Sequence, residues 1–323
     1  MTSDSKENKM KITILGAGAM GMLFGGYLSQ HNEVWLLDVD QERVKKIQSE
    51  GVSIREADGD RVFHPNAITD SVGMEPMDLV IVFVKSMYTE SALQANRRLI
   101  DKNTYLMTLQ NGAGHESKLL QFADREHVII GTTQHNSSII ENGYVNHGGG
   151  GKSSIGLLAG GSERVAHIAE SFTACGLECV TNDAVKEQIW RKLFINTAAS
   201  SLTAILQVPL GFIFDDTYAR AIMHQLCHEA VQVANAEGYV CFSESEAIAE
   251  VEQICKNAPN GYTSIYADIK NGVRSEVDTI SGSVVEAAKG LGVPVPCHEM
   301  VVDLIHAIEH KKETKSAKWR RKR

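Results

Sequence analysis

The stretch Lys11-Ile-Thr-Ile-Leu-Gly-Ala-Gly-Ala-Met-Gly21 leaves this chain few choices of fold, because a short apolar run breaks into glycines at Gly16, Gly18 and Gly21. It predicts a strand, a tight turn and a helix that starts near Ala19, with Ala17 and Met20 filling the positions between glycines. Gly16 permits the turn, Gly18 lets the backbone approach a pyrophosphate, and Gly21 lets the helix pack closely on the strand. The phosphates then lie at the positive end of the helix. The spacing alone is weak evidence, and its surroundings strengthen it. The run before it is rich in Ile and Leu, as in a parallel strand buried on both faces, and Met20 to Leu28 has helical spacing.

A second apolar run, Val34 to Leu37, ends in Asp38, 22 residues after Gly16. An acid at this offset is expected to hydrogen-bond the adenosine ribose hydroxyls. A carboxylate there also repels a ribose 2'-phosphate, so the residues favour NAD over NADP. Arg43 and Lys45 read as too far along the chain to bear on that choice.

At 323 residues the chain has room for two domains with full cores. No apolar run approaches the roughly 20 residues that cross a bilayer, and the polar start Met1 to Lys9 has no signal-peptide core, so a cytoplasmic protein is expected. The six cysteines are scattered, without metal-site spacing, and read as reduced thiols. His224 and His228 lie four apart on a predicted helix, but no third ligand accompanies them, and no metal is expected. The net charge of -8 hides an asymmetry: the tail from Lys311 to Arg323 carries eight Lys or Arg against one Glu, leaving 24 basic and 39 acidic residues elsewhere. An acidic body argues against nucleic acid as a partner, and the tail reads as a solvated, disordered end.

Along the chain, a helix at Gln41 to Ser49 precedes short alternating pieces at Val52 to Ile54 and Arg61 to Phe63. Further strands are predicted at Asp78 to Val84, Thr104 to Leu109 and His127 to Gly131, followed by a glycine-rich hairpin region over Tyr144 to Leu158. Alternation of strands and helices implies an α/β fold with a doubly wound parallel sheet. Val84-Lys85 and Gln110-Asn111-Gly112 fall at strand ends on the side where ligands bind. Near Asn182-Asp183 the pattern becomes almost purely helical, with either residue able to cap a helix over Val185 to Leu206. Residues 10–182 therefore read as a dinucleotide-binding Rossmann domain, 183–310 as an all-helical C-terminal domain and 311–323 as the tail. A cleft between the domains is the expected binding site.

The helical segment Ile189 to Leu206 is apolar over most of its circumference, yet Lys192, Asn196, Ser200 and Thr203 lie at i, i+4, i+8 and i+11 along it. A buried ammonium is costly unless it is paired or faces a wet cavity, so Lys192 is a candidate acid. The alternative is that Lys192 reaches the surface while Asn196 and Ser200 bond a neighbouring helix. Ser264 and Glu276 are candidate substrate contacts; Glu276 also reads as an acid in the first turn of a helix capped by Ser275.

Taken in order, Gly16-Ala-Gly-Ala-Met-Gly21, Val84-Lys85, Gln110-Asn-Gly112, Trp190-Arg-Lys-Leu193 with Asn196, Thr203-Ala204, Thr263-Ser264 and Ser275-Glu-Val-Asp278 with Gly282 resemble the ketopantoate reductase family from Met10 to about Glu309. The resemblance implies hydride transfer from a nicotinamide dinucleotide to the ketone of a 2-oxo acid, with NADP(H) the usual cofactor and ketopantoate, reduced to D-pantoate, the substrate. It matches Lys192 to the catalytic lysine, Glu276 to the active-site glutamate, Asn111 to the asparagine near the nicotinamide, Asn196 and Ser264 to substrate positions, and Lys85 to a cofactor-facing lysine. The chain departs from the family at Ser200, where an asparagine is common, and at Leu210-Gly211, where asparagine-glycine follows the proline. A related reading is an NADH-dependent D-2-hydroxyacid dehydrogenase acting on a branched or aromatic 2-oxo acid, favoured by Asp38. A more distant one is a dinucleotide-sensing regulator that touches nucleic acid through its tail. Neither nucleic acid nor membrane is expected as a partner of the enzyme, and a homodimer is left open.

Overall fold

The computed structural model describes residues 9–238 and 241–320. Twelve strands are described: β1 Lys11–Leu15, β2 Glu33–Leu37, β3 Val52–Glu56, β4 Gly59–Phe63, β5 Asn66–Ile68, β6 Leu79–Val82, β7 Tyr105–Thr108, β8 Val128–Thr133, β9 Asn136–Glu141, β10 Tyr144–Gly149, β11 Ser153–Leu157 and β12 Cys179–Thr181. Eight form one sheet in the order β12-β11-β8-β7-β6-β1-β2-β5, with every neighbouring pair parallel except β11 against β8. Its centre is the dinucleotide-fold order, and the order reverses between β1 and β6, where ligands bind in open sheets of this kind. The near-continuous apolar runs of β1 and β6 follow from burial on both faces: Ile12, Ile14, Leu79 and Ile81 are fully buried.

The region from Tyr144 to Leu158 is not a self-contained hairpin. Its two strands enter different sheets: β10 pairs with β9 and β3 in a second, four-stranded sheet, and β11 joins the main one. The hairpin lies one step earlier, at the two-residue Asn142-Gly143 link between β9 and β10, where Gly143 has φ +77. The glycines from Gly148 to Gly151 carry the chain from one sheet to the other.

Contacts divide the chain into two units. One comprises the residues up to Gln110 together with His115–Val185; the other comprises Asn111–Gly114 together with the residues from Lys186 onward. Among its described residues the second unit has helices joined by loops and turns and no strand, with Thr217–Ala236, Glu244–Asn257, Ser264–Asn271, Ser281–Leu291 and Pro296–Arg320 as its longer helices outside the segment that carries Lys192. Asp216, Ser243 and Thr263 cap three of these through side-chain bonds to backbone N–H groups. Asn182 accepts the Ala184 N–H, while Asp183 bonds the Ser162 N–H.

Two expectations are corrected here. The helix after Ser275 begins only at Ser281, and residues 276–280 form a turn. Ser275 caps nothing, because its N–H and Oγ both bond Glu309 Oε1 at 2.8 Å. The helix expected to end near His310 continues as far as Arg320, through most of the segment read as a disordered tail. The side chains of residues 312–320, and residues 321–323 altogether, lie outside the described residues. No described helix is long and apolar enough to cross a membrane.

Candidate active site

In the sheet-bearing unit the glycine run is shaped by its neighbours. Gly16 has φ +100, and a Cβ there would come within 2.8 Å of the Val84 backbone nitrogen; one on Gly21 would overlap the Gly16 carbonyl. At Gly18 a Cβ would meet nothing within 4 Å, so the space beside the second glycine is open. The helix Ala19–Leu28 starts there with no side-chain cap and no acid in its first turn, leaving its N–H groups available to a phosphate. These residues fit a dinucleotide pyrophosphate.

Asp38 stands at the end of β2, nearly buried. Its Oδ2 accepts the Ala17 N–H at 2.8 Å and its Oδ1 accepts the Asp40 N–H at 2.9 Å, which fixes the carboxylate beside the glycine turn. Arg43, read from sequence as too distant to matter, lies against it. Its guanidinium is 3.1 Å from Asp38 and 3.4 Å from Asp40, and its Nε donates to Asn142 at 3.3 Å. The helix Gln41–Glu50 turns Arg43 back over the strand end, a return that linear spacing does not reveal.

Lys85 follows β6 and is half-buried. Gln110, read from sequence only as the start of the Gln110-Asn111-Gly112 strand end and given no role of its own, donates from its amide Nε2 to Val84 O at 2.6 Å and accepts at Oε1 from Thr108 Oγ1 at 2.9 Å. Gln110 thus ties the ends of β6 and β7 together.

The helical unit collects the other candidates. The segment Val185–Ile195 carries Lys192 and passes without a break into a π-helical turn, Asn196–Ser200, and then an α-helical piece, Ser201–Leu206. Lys192 and Asn196 are half-buried, and Ser200 and Thr203 are buried. Burial pulls the Lys192 ammonium down from 10.5 to about 8. The expectation of one regular α-helical stripe is therefore corrected, since the π turn changes the angle at which Ser200 and Thr203 follow Lys192.

Ser264 is exposed at the first position of the helix that Thr263 caps, and Thr263 bonds Thr203 across the two helices at 2.8 Å. Asn111 belongs to this unit too. In its loop the Ala113 N–H donates to Thr279 O at 3.1 Å, and a Cβ on Gly112, at φ +103, would overlap that same oxygen. Thr279 in turn donates from N and Oγ1 to Glu276 O, so the Asn111 loop is docked on the turn that carries half-buried Glu276. His224 and His228 each bond a glutamate, Glu252 and Glu244 respectively.

Comparison with known proteins follows this division. Residues 12–160 match the ketopantoate reductase PanE/ApbA family model, and residues 184–309 match the model of that family's C-terminal domain. The chain belongs to the ketopantoate reductase family. The 2-dehydropantoate 2-reductase of Halobacterium salinarum is 32% identical over 300 residues, which are 92% of this chain and 98% of that protein. That of Pyrococcus horikoshii is 32% identical over 301 residues, 93% and 98% of the two chains. Among solved structures, a D-mandelate dehydrogenase with NADH and anilino(oxo)acetate superposes with a TM-score of 0.88 at 30% identity, covering 94% of this chain and 99% of that one. A ketopantoate reductase from Ralstonia eutropha JMP134 gives 0.86 at 30% identity over 94% and 100%. The two departures from the ketopantoate reductase pattern lie close to the same loop. Leu210 and Gly211 donate backbone N–H groups to Gly261 O and Pro259 O, and Thr263 Oγ1 reaches Ser200 O at 3.4 Å.

Proposed function

We propose that this protein is a 2-dehydropantoate 2-reductase that uses NAD(P)H to convert ketopantoate to D-pantoate, a step toward pantothenate, in the cytoplasm. The observation that carries this reading is Lys192, an ammonium held in an apolar helix with its pKa brought to about 8, followed along the chain by Asn196 and Ser200. Gly16 to Gly21 would hold the pyrophosphate, Asp38 the adenosine ribose, and Lys85 and Asn111 the nicotinamide half. When bound, the dinucleotide supplies the hydride.

Reduction of a ketone builds negative charge on its oxygen. Lys192 stabilises that charge and delivers the proton that completes the alcohol. Asn196, Ser200 and Ser264 bind and orient the 2-oxo acid, and Glu276 favours the charged state of Lys192 and accepts a substrate hydroxyl. The partner is a small 2-oxo acid rather than nucleic acid, and the state of assembly is a monomer or a homodimer.

Because Lys192 works protonated, kcat/KM for reduction is expected to fall as pH rises through about 8. The reverse oxidation, which needs the neutral amine, is expected to rise over the same interval. Steady-state pH profiles in both directions test this, and parallel profiles would remove Lys192 from the proton transfer.

A second reading keeps the chemistry and changes the substrate and cofactor: an NADH-linked D-2-hydroxyacid dehydrogenase. Asp38 favours it, since a fixed carboxylate beside the glycine turn repels a 2'-phosphate and Arg43 is engaged by Asp38, Asp40 and Asn142. We expect NADH to surpass NADPH by at least ~10-fold in kcat/KM, with Asp38→Asn narrowing the gap. Rates with ketopantoate and 2-oxoisovalerate, each with both cofactors, decide between the readings; negligible ketopantoate turnover beside the alternative sinks the first.

A further inference from the structure

The helix that carries Lys192 is α-helical on both sides of Asn196–Ser200 and π-helical within it. A π turn closes its hydrogen bonds i to i+5, so it takes backbone groups out of the regular ladder and is rare. The residues Asn196-Thr-Ala-Ala-Ser200 contain no proline or glycine that would impose it. Something outside the segment must favour it.

A chain of hydroxyl bonds from a neighbouring helix meets its end. The Tyr266 N–H donates to Thr263 Oγ1 at 3.3 Å, Thr263 and Thr203 share a hydroxyl bond at 2.8 Å, and Thr203 Oγ1 donates to Ser200 O at 2.8 Å. With Thr203 donating to the carbonyl, its oxygen accepts from Thr263, whose oxygen accepts from Tyr266. Thr263 Oγ1 also lies 3.4 Å from Ser200 O, so both threonine hydroxyls converge on that carbonyl. The last acceptor, Ser200 O, is the carbonyl at the end of the π turn, and Thr203 is fully buried. On the far side of the segment, buried Ser201 bonds Ser281 at 3.0 Å and ties the next residue to another helix start.

The turn matters for what lies along it. In a regular α-helix each residue advances by roughly 100°, so Ser200 would sit about 80° round from Lys192. The wider π turn advances less per residue, and a residue four positions on lies almost directly above its predecessor. Ser200 is thereby brought back over Asn196 instead of drifting off the Lys192 face. The same chain fixes Thr263, the residue before Ser264.

We propose that Thr203 and Thr263 are positioning residues whose hydroxyl chain holds the π turn, and that this turn sets Asn196 and Ser200, together with Ser264, in place to bind the 2-oxo acid beside Lys192. The proposal rests on the reading of Lys192 as the proton donor.

The test compares Thr203→Val, which keeps the shape and removes the hydroxyl, with Thr203→Ser, which keeps the hydroxyl. Thr263→Val and Thr263→Ser form a second pair at the half-buried end of the chain, should Thr203→Val not fold. For each valine variant the KM for ketopantoate is expected to rise ~10-fold or more, with the KM for the dinucleotide unchanged, because displacement of a substrate contact weakens binding and alignment of that substrate. The serine variants restore it. A crystal structure of Thr203→Val is expected to show Asn196–Ser200 relaxed to α-helix. Retention of the π turn in that structure, or valine kinetics equal to wild type, overturns the proposal. A wild-type enzyme inactive on every 2-oxo acid sinks the reading of Lys192 instead, and the crystal structure still decides what holds the turn.

Discussion

Replacing Lys192 with methionine is expected to lower turnover by ~100-fold or more while leaving dinucleotide affinity nearly intact, as loss of a proton donor should. The same substitution is expected not to lower thermal stability. Burial takes this ammonium from 10.5 to about 8, which corresponds to a penalty of about 3 kcal/mol for holding the charge in the folded state. The sign follows from proton counting. Between about 8 and 10.5 the unfolded chain binds a proton that the folded chain lacks, so this contribution to stability rises with pH across that interval. Methionine fills the volume without charge, so its advantage should be greatest at pH 7 and shrink toward pH 10. Calorimetric melts of both proteins at the two pH values, beside single-turnover rates, measure both effects. A variant that melts earlier and still turns over normally would make Lys192 a structural residue.

Glu229→Gln is expected to be among the most destabilising single changes in the helical unit, by about 3 kcal/mol, because it disturbs a buried charge that satisfies several donors at once. Glu229 lies on Thr217–Ala236 and is 1% exposed. It accepts the N–H groups of Cys297 and His298 at 3.0 and 3.1 Å, and the His298 ring Nδ1 lies 3.0 Å away. The helix Pro296–Arg320 is preceded by Val295, which has no side-chain acceptor, so a carboxylate from another helix serves as its cap. Burial alone would raise the Glu229 pKa, but the bonds from His298 and from the backbone of Cys297 and His298 outweigh it and take the group from 4.5 to about 2. Its stabilisation is complete above 4.5 and is lost as pH falls through about 2. Urea midpoints from pH 7 to pH 2 should therefore converge for wild type and Glu229→Gln at the acid end. Curves that stay parallel would remove Glu229 from the acid response.

What sequence made legible was whatever depends on short-range pattern. The glycine spacing, the Ile- and Leu-rich strands and the change to helix near Asn182 all report local packing demands, and the main sheet follows them. The hairpin boundaries were misplaced because strand partners are chosen in three dimensions: nothing in Tyr144 to Leu158 says that β10 pairs with β3 while β11 pairs with β8. Arg43 was discounted for a similar reason, since the bend into its helix returns it to Asp38. The Ser275 cap failed because Glu309, 34 residues away, competes for the same hydroxyl. The π turn was hidden because it is sustained by Thr263, 60 residues from Thr203, while the residues inside it look like any other helix.

Asn111–Gly114 begins just beyond Leu109 and Gln110 at the end of β7, yet makes its backbone bond to Thr279 in the helical unit. The polypeptide therefore enters that unit twice, and no single cut separates the halves. A chimera joined only at Val185 would pair one parent's four-residue patch with the other parent's Thr279 turn. Exchanging specificity between relatives thus calls for transplanting both segments together, with glycine kept at position 112.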